Sequence, residues 1–300
     1  MRDHLASFVK IEGATVAVDV PFSRLTSWRV GGPAKYLIEV HNEAAFIETL
    51  SVVAGHQLPL LILGNGTNIL ASDRGFAGVV MRLTGDFSRV GVDGTRITAG
   101  SGASYSSLAR AAYDASISGL EFALGIPGTV GGAAMMNAGA YGQTTSEALE
   151  RIETVTKDAE QRSHESFKDK YRASLVPAGE IVTSGIFRLK AKPSQEIKKQ
   201  MDMIKNKRKE GQPWGQATAG SVFKNPTGDY AGRLIEECGM KGVAVGPARV
   251  STVHANFIVN EGGASASDII ELIALVSNGV RDRFGIELET EVTLIGFEEE

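Results

Sequence analysis

A stretch of the chain without a single charged residue, residues 123–142, is the first place where residue types suggest chemistry. Its glycines let the backbone approach a ligand closely and adopt positive φ, and successive free N–H groups in such turns form a concavity that binds anions. The stretch is too rich in glycine to predict a helix and too apolar to predict a linker. We therefore interpret it as a pyrophosphate-binding loop. The alternative is a buried crossover loop in which glycine serves tight packing.

A second glycine turn, residues 64–68, follows an apolar run, residues 58–63, that has the length of a buried strand. Two such turns far apart in sequence can hold the two ends of one long ligand. A Rossmann fingerprint would need a third glycine where Ile69 stands and an acidic residue after a helix, and the sequence has neither. It also has no Walker A motif ending in Gly-Lys-Ser or Gly-Lys-Thr. The sequence therefore predicts phosphate binding outside these two common frameworks.

Seven segments, taken in order along the chain, match the motifs of a known family. They are residues 26–32, 63–70, 125–142, 171–174, 219–226, 254–260 and 288–292. With them the chain resembles, over nearly its whole length, the bacterial UDP-N-acetylenolpyruvoylglucosamine reductase family, flavoproteins of peptidoglycan precursor synthesis. No long insertion separates Tyr171 from Phe187, which is similar to the shorter subclass of that family, type II.

The resemblance implies an α+β fold with an FAD-binding domain of the PCMH/VAO type. That domain would consist of two α/β subdomains, residues 1–80 and 81–195, and a C-terminal α+β domain, residues 196–300, would bind the substrate. The two glycine turns would hold FAD without a covalent bond. The residues expected to contact FAD are Gly64, Asn65, Gly66, Thr67, Asn68, Gly125, Ile126, Pro127, Gly128, Thr129, Gly131, Gly132, Ala133, Asn137 and Gly139.

The activity that the resemblance implies is a two-stage reduction. NADPH gives a hydride to FAD and leaves, and the enolpyruvyl ether of UDP-N-acetylglucosamine takes its place. Reduced flavin then delivers the hydride to the terminal methylene carbon, so negative charge develops on the adjacent carbon and its carboxylate. Protonation yields UDP-N-acetylmuramate. The chain would therefore need one group that stabilises an enolate and one that protonates it.

Three residues match the family positions that handle this charge. Arg172 would stabilise the enolate, because a guanidinium stays charged and pairs with a carboxylate in bidentate geometry. Ser221 would donate the proton, with neighbouring groups holding its hydroxyl against the developing carbanion. Glu291 would act as a protonated donor to the substrate carboxyl or as an orienting partner. Without the resemblance, the same residues predict a surface arginine, a turn serine and an exposed strand position.

The nucleotide-sugar part of the substrate is expected beside Lys224 and Asn225, which follow Ser221 closely. Lysine supplies a point charge for a diphosphate, and asparagine supplies both a donor and an acceptor for a base or sugar edge. Tyr171 and Arg208 are further candidates for this role.

The composition excludes several other classes of protein. A hydrophobic content of 43% with 22% charged residues is typical of a globular chain, and a net charge of −4 argues against a general nucleic-acid binder. The one cysteine, Cys238, excludes an internal disulfide and fits a reducing compartment. The histidines show no metal-ligand spacing, so we expect no metal, and we expect His254 to be a hydrogen-bonded structural residue. No apolar run approaches the roughly 18 residues of a membrane-spanning helix. We expect a cytoplasmic monomer that acts on small molecules and binds neither nucleic acid nor membranes.

The elements that must position these residues follow from hydrophobic periodicity and capping residues. A strand, a helix capped by Asn42 and a second strand predict a βαβ unit, and the pair Asp93-Gly94 predicts a tight hairpin turn. The closing strand would place Glu289, Glu291 and Thr293 on one face. The expected strands are residues 34–40, 58–63, 78–83, 151–157, 180–190, 256–260 and 288–297, with a hairpin over 90–99. The expected helices, besides the one after Asn42, are residues 104–115, 193–210, 231–238 and 267–284.

Two other interpretations stay open. A flavin oxidase or dehydrogenase of the PCMH type would share the glycine turns and act on a different small substrate. Such oxidases often tether the flavin through His or Cys near these loops, and neither turn contains one. A non-catalytic nucleotide-binding module is the other interpretation, and the set of Arg172, Ser221 and Glu291 argues against it.

Overall fold

The computed structural model describes residues 4–167 and 171–297. These residues form two compact units, each built from three segments of the chain. The first unit lies within Met1–Val18, Tyr36–Gly64 and Gly78–Lys207, and the second within Asp19–Lys35, Asn65–Ala77 and Arg208–Glu300. The division into subdomains at residues 80 and 195 stays a prediction.

Helices and strands alternate irregularly through the described residues, as an α+β fold requires. The helices, α1 to α8 in chain order, are Leu5–Phe8, Glu43–Gly55, Tyr105–Asp114, Val130–Met135, Thr145–Ala148, Ser194–Gly211, Ala231–Glu237 and Ala266–Phe284. The strands, β1 to β18 in chain order, are Ala14–Pro21, Pro33–Val40, Leu60–Ile62, Ile69–Ala71, Phe76–Leu83, Val90–Asp93, Arg96–Gly100, Ile117–Ser118, Gly139–Ala140, Gln143–Thr144, Leu149–Thr156, Gln161–His164, Glu180–Arg188, Lys190–Ala191, Ala244–Val245, Ala248–Val250, Ile258–Asn260 and Thr293–Ile295. Of the helices within the described ranges, none combines the length and the apolar character that crossing a bilayer requires.

One sheet has the strand order β1-β2-β5-β3, in which β3 and β5 are parallel. Helix α2 begins where the sequence predicts, because Asn42 Oδ1 accepts a hydrogen bond from Ala45 N–H over 2.9 Å. Its Phe46 and Leu50 are buried in one core with hydrophobic residues of β2 and β5. The predicted succession of strand, helix and strand is confirmed. Strand β5 lies between the two strands of that succession, and the second of them is shortened to Leu60–Ile62.

A second sheet, in the first unit, has the order β12-β11-β13-β7-β6 with antiparallel pairs throughout. Asp93 pairs with Arg96 across a two-residue turn, and Gly94 has φ +56°, so the predicted hairpin is confirmed. Ile97 and Phe187 of this sheet share a core with Leu108 of α3. The sheet and α3 are therefore the support on which the second glycine turn rests.

Helix α4 lies within the glycine-rich stretch, where the sequence analysis expected no helix, and that expectation was wrong. Thr129 is the N-cap, and its Oγ1 accepts a hydrogen bond from Gly132 N–H over 3.2 Å. A Cβ added to Gly131 would lie 3.0 Å from Ser101 Cβ, so glycine lets the helix pack closely on the preceding loop. The cap and this packing outweigh the weak helix propensity of glycine.

The core of the second unit gathers residues from all three of its segments. Trp28 and Leu70 are fully buried in it together with Ile258 of β17 and Ile269 of α8. The indole N–H of Trp28 donates to the carbonyl oxygen of Ile258 over 2.7 Å, which satisfies the one polar group of the ring. Strands β15, β16 and β17 form an antiparallel sheet beside α8.

Helix α8 starts at a cap to which a distant residue contributes. Ser265 and Asp268 form a capping box, and Asp73 accepts hydrogen bonds from the N–H groups of Ala266 and Ser267, each over 2.9 Å. Burial opposes ionisation of Asp73, but these bonds and one from the Ser267 hydroxyl outweigh it and hold the pKa below its usual value. The ionised carboxylate therefore stabilises the start of the helix.

The closing strand is shorter than the sequence predicts, and Glu289 and Glu291 lie outside it. Strand β18 covers only Thr293–Ile295 and pairs in parallel with β4. Before it, the chain makes a single antiparallel bridge between Thr290 and Phe223. The expected single strand over residues 288–297 is therefore wrong, because the partner of this segment changes at residue 292.

Candidate active site

The two glycine turns meet at Gly64 and Thr129 in the first unit. A Cβ atom added to Gly64 would lie 2.7 Å from Thr129 Oγ1, nearer than non-bonded carbon and oxygen atoms normally approach. The absence of a side chain at residue 64 is therefore what lets the two turns touch.

Backbone N–H groups at this meeting point are available to a ligand. In the described part of the chain, no hydrogen bond uses the N–H groups of Gly64, Gly128 or Thr129. By contrast, Gly125 N–H donates to Ser106 Oγ over 3.2 Å. Available N–H groups on glycine-rich backbone fit an anionic group such as a pyrophosphate, so the residues present fit FAD.

The rest of the first turn is fixed within the second unit. Gly66 has φ +61°, and a Cβ there would lie 2.1 Å from the carbonyl oxygen of Leu25, so only glycine fits. Ser27 N–H donates to the carbonyl oxygen of Gly66 over 3.0 Å. Asn65 is exposed, whereas Thr67 and Asn68 are half-buried. The segment at residues 26–32 therefore supports the turn.

Some residues of the second turn shape the loop itself. Asn137 is 1% exposed, has φ +40°, and its Oδ1 accepts a hydrogen bond from Ser146 N–H over 3.0 Å. Ala133 is buried in the core of the first unit. Pro127 and Gly132 are exposed, and Gly125, Ile126, Gly128, Gly131 and Gly139 are half-buried.

Arg172 contacts the second glycine turn. Its Nη2 donates to the carbonyl oxygen of Gly139 over 3.3 Å, and its guanidinium lies 5.1 Å from the centre of the Tyr171 ring. The backbone of Arg172 has φ +52°, which is uncommon for a residue other than glycine and often marks a functional position. The first unit thus brings together Gly64, the second glycine turn and Arg172.

Ser221 and Glu291 are neighbours in the second unit. Glu291 N–H donates to the carbonyl oxygen of Val222 over 2.7 Å, and Lys224 N–H donates to that of Glu289 over 2.8 Å. Both Ser221 and Glu291 are half-buried. The loop that carries the serine therefore pairs along its length with the segment that carries the glutamate.

Asn256 holds the other side of the serine loop, and the sequence analysis missed this residue. Its Oδ1 accepts a hydrogen bond from Phe223 N–H over 2.9 Å, its Nδ2 donates to the Phe223 carbonyl oxygen over 2.8 Å, and its own carbonyl accepts from Val222 N–H. Asn256 is 4% exposed. Its place in the segment 254–260, which matches the family, was the one available signal.

The two substrate-binding candidates that follow Ser221 already have partners in the chain. Lys224 Nζ forms an ion pair with the carboxylate of Glu289, and Lys224 is half-buried whereas Glu289 is exposed. Asn225 is exposed, and its Oδ1 accepts from Ala231 N–H over 3.1 Å at the first turn of α7. A substrate that binds Lys224 therefore competes with Glu289.

His254 is hydrogen-bonded and Cys238 is half-buried, as the sequence predicts. His254 Nδ1 accepts a hydrogen bond from Asn256 N–H over 3.2 Å, and burial, with the nearby charge of Lys241, lowers the pKa of the imidazole. Burial also raises the pKa of the half-buried Cys238 thiol, which disfavours a nucleophilic role. No group of three or more potential metal ligands exists among the described residues.

Comparison with known proteins agrees with this arrangement. Residues 34–163 match the family model described as FAD binding domain, and residues 212–295 match that of the C-terminal domain of UDP-N-acetylenolpyruvoylglucosamine reductase. The fold and the glycine turns thus belong to an FAD-binding oxidoreductase with a separate C-terminal domain.

Relatives named UDP-N-acetylenolpyruvoylglucosamine reductase extend the match to most of the chain. The protein from Clostridioides difficile is 41% identical over 284 residues, 94% of this chain and 93% of that protein. The one from Caldanaerobacter subterraneus is 40% identical over 279 residues, 92% of each chain. The crystal structure of the reductase from Thermus caldophilus is 37% identical, has a TM-score of 0.82 and covers 94% of this chain and 99% of that one. The chain belongs to the UDP-N-acetylenolpyruvoylglucosamine reductase family, which confirms the resemblance and the predicted fold class.

Proposed function

We propose that this chain reduces the enolpyruvyl ether of UDP-N-acetylglucosamine to UDP-N-acetylmuramate, with FAD as bound cofactor and NADPH as hydride donor. Family membership and the FAD-binding domain support the reaction and the cofactor. The observation that supports the assignment of residues is the backbone hydrogen bond between Val222 and Glu291, because it joins the loop of the proposed proton donor, Ser221, to the segment that carries Glu291.

The FAD would be held by the two glycine turns. The N–H groups of Gly64, Gly128 and Thr129 would donate to the pyrophosphate, and the remaining turn residues would shape the groove. When bound, FAD supplies the hydride chemistry that connects NADPH with the terminal methylene carbon of the substrate. The chain's own residues bind the substrate, hold its carboxylate and move one proton.

Arg172 would hold the carboxylate on which negative charge collects. A guanidinium remains protonated at any working pH and presents two parallel N–H donors to the two carboxylate oxygens. The hydrogen bond from Arg172 to the Gly139 carbonyl would fix the plane of the guanidinium. Positioning the charge before the reaction lowers the cost of stabilising the enolate.

Ser221 would deliver the proton to the carbon next to the carboxylate. The substrate then gains one hydride and one proton, and the serine regains its own proton from water. A serine hydroxyl is a weak acid, so its contribution depends on being held against the carbon. Glu291 would orient the serine or donate to the substrate carboxyl, and both roles need the neighbouring position that the Val222 bond fixes.

Lys224, Asn225 and Tyr171 would bind the nucleotide-sugar part of the substrate. Lys224 contributes a positive charge for the diphosphate once the Glu289 carboxylate releases it. Asn225 and Tyr171 are exposed and offer an amide and an aromatic face.

We also propose that the chain works in the cytoplasm and takes part in building the cell wall. The single cysteine, Cys238, fits the reducing cytoplasm, and the reaction would supply cell-wall biogenesis and thereby cell shape and division. We propose a monomer in which residues 1–80 and 81–195 bind FAD and residues 196–300 bind the substrate.

An anaerobic two-step titration tests the function. The purified chain should have the yellow spectrum of bound flavin, NADPH should bleach it, and the enolpyruvyl nucleotide should restore it. Bleaching without restoration would favour a flavin oxidase or dehydrogenase with another substrate. A colourless protein that takes up no FAD would favour a nucleotide-binding module and would contradict the proposal.

A further inference from the structure

A mostly buried pair of titratable side chains, His164 and Glu180, lies in the first unit and belongs to neither glycine turn. His164 Nε2 and Glu180 Oε2 are 2.7 Å apart, and their side chains are 25% and 9% exposed. The Thr154 hydroxyl donates to the same carboxylate oxygen. The Thr154 bond first, and then His164, outweigh burial and hold the pKa of Glu180 below its usual value. A carboxylate so enclosed is stable only while its partners remain in place.

The position of this pair in the chain relates it to Arg172. His164 is the last residue of β12 and Glu180 the first residue of β13. Residues 171–179, the arginine loop from here on, carry Arg172 and lead directly into Glu180. The pair therefore joins the strand end that precedes the arginine loop to the strand start that follows it.

Besides its two ends, residues in the middle of the arginine loop also contact the rest of the first unit. Leu175 N–H donates to the carbonyl oxygen of Ala134 over 3.1 Å. Val176 is buried with Ala134 and Val182. The Ser174 hydroxyl donates a hydrogen bond to the Val176 carbonyl oxygen and accepts one from Val176 N–H. Because a loop takes its position from its anchors, the fixed start of β13 and these contacts together set where Arg172 lies.

We propose that the His164–Glu180 pair is a clasp that positions Arg172 for the reduction. Both are positioning residues, because they act through the start of β13 and touch no reacting group. This inference rests on the proposed function for its kinetic consequence, since Arg172 acts only when the enolpyruvyl substrate is reduced. Its structural consequence, the ordering of the arginine loop, is independent of that function.

The variant Glu180→Gln tests the clasp, because it keeps the shape of the side chain and removes its charge. Reoxidation of the reduced flavin by the enolpyruvyl nucleotide should slow roughly tenfold or more, since small displacements of a positioned group cost up to about a hundredfold. Bleaching by NADPH should stay within about twofold of the wild type, because no step of it uses Arg172.

Two further variants separate positioning from loss of charge alone. Glu150→Gln is the matched control, because Glu150 pairs with Arg96 and Arg188 at the other end of the same strands. It should leave both half-reactions unchanged. His164→Gln retains an N–H donor for Glu180. Its reduced flavin should therefore be reoxidised by the enolpyruvyl nucleotide faster than that of His164→Ala. Equal rates for these two His164 variants would contradict the clasp.

Hydrogen exchange of the Leu175 amide provides a measurement that needs no activity. In Glu180→Gln its protection should fall at least about tenfold relative to amides of the β11–β13 pairing, which report on global unfolding. In Glu150→Gln it should not change. Unchanged Leu175 protection in Glu180→Gln would overturn the clasp, and so would lost protection with a normal reoxidation rate. If the wild type failed to be reoxidised by the nucleotide, the proposed function would fail while the exchange measurement still tested the clasp.

Discussion

Asn68 donates a hydrogen bond from its side-chain Nδ2 to the backbone carbonyl oxygen of Glu291 over 3.0 Å. The carbonyl oxygen of Asn68 in turn accepts a hydrogen bond from Thr293 N–H, also over 3.0 Å. The last residue of the first glycine turn is therefore bonded twice to the segment that carries Glu291. A displacement of this turn would therefore be transmitted to Glu291 through the side chain of Asn68.

Replacing Asn68 by aspartate should remove the side-chain hydrogen bond between the first glycine turn and Glu291. The variant Asn68→Asp loses the N–H donor and turns a carboxylate toward the Glu291 carbonyl oxygen, so the free energy of unfolding should fall by about 1 kcal/mol or more. Urea denaturation measures the change. Asn65→Asp, at an exposed position of the same turn, is the control and should stay within about 0.5 kcal/mol of the wild type.

Removing the Ser221 hydroxyl should separate the two half-reactions. Ser221→Ala should still be bleached by NADPH, whereas its reoxidation by the enolpyruvyl nucleotide should slow by roughly a hundredfold or more, because a positioned proton donor contributes about that much. Anaerobic stopped-flow absorbance of the flavin follows both steps. An equal loss in both would show that Ser221 is not the proton donor.

Freeing Lys224 from its ion pair should strengthen diphosphate binding. In Glu289→Gln the ammonium no longer has a competing carboxylate, so the Kd for UDP should fall roughly two- to fivefold, the range expected for one partly exposed ion pair. Isothermal titration at low and high salt measures it, and the gain should shrink as salt screens the charges. Glu287→Gln, at an exposed neighbouring position, should bind UDP as the wild type does.

The Asp73 cap should make stability depend on acid pH. Because its pKa in the folded chain is depressed, its stabilisation is fully present above the unfolded-state pKa and is lost as pH falls through the folded-state value. Asp73→Asn should cost about 1 kcal/mol at neutral pH, a typical effect of a charge at a helix start. Urea denaturation at several pH values should show the difference vanishing in acid, and a constant difference would contradict this account.

Adding a methyl group at Gly66 should disrupt the first glycine turn. The variant Gly66→Ala meets the Leu25 carbonyl oxygen at 2.1 Å as well as the strain of φ +61°. Gly142→Ala is the control, because Gly142 has φ +78° but open space around it and pays only the strain of roughly 1–2 kcal/mol. The Tm of Gly66→Ala should fall well below that of Gly142→Ala, and equal values would show that the turn can shift.

Local features of the fold could be predicted from the sequence. The cap at Asn42, the hairpin at Asp93-Gly94 and helix α8 with its regularly spaced apolar residues are each specified by residues within a few positions of one another. The chemistry of such a cap or turn hardly depends on the rest of the chain, so these predictions are confirmed.

Features that depend on distant partners could not be predicted. Helix α4 needs Gly131 to pack against Ser101, and the segment before β18 pairs with Phe223 rather than extending the strand. Neither Ser101 nor Phe223 can be identified from the hydrophobic pattern of the segment that it contacts. Tertiary contacts therefore override both local patterns.

The candidate site shows the same division. Matching segments identified Ser221 and Glu291, but the hydrogen bonds that make them neighbours involve Val222 and Asn256, which sequence spacing does not relate. The carboxylate that pairs with Lys224 belongs to Glu289, which the sequence analysis assigned to the exposed face of a strand. Residue types predicted the chemistry, and long-range pairing determines the geometry.

The three-segment construction of the second unit has a consequence for synthesis of the protein. Trp28 emerges from the ribosome 230 residues before Ile258, whose carbonyl receives its indole hydrogen bond. Until translation is almost complete, this large aromatic ring and its neighbours have no core to enter. These apolar side chains of the nascent chain must be protected from aggregation while the first unit folds. A product truncated before the final segment retains an apolar surface that chaperones and proteases recognise.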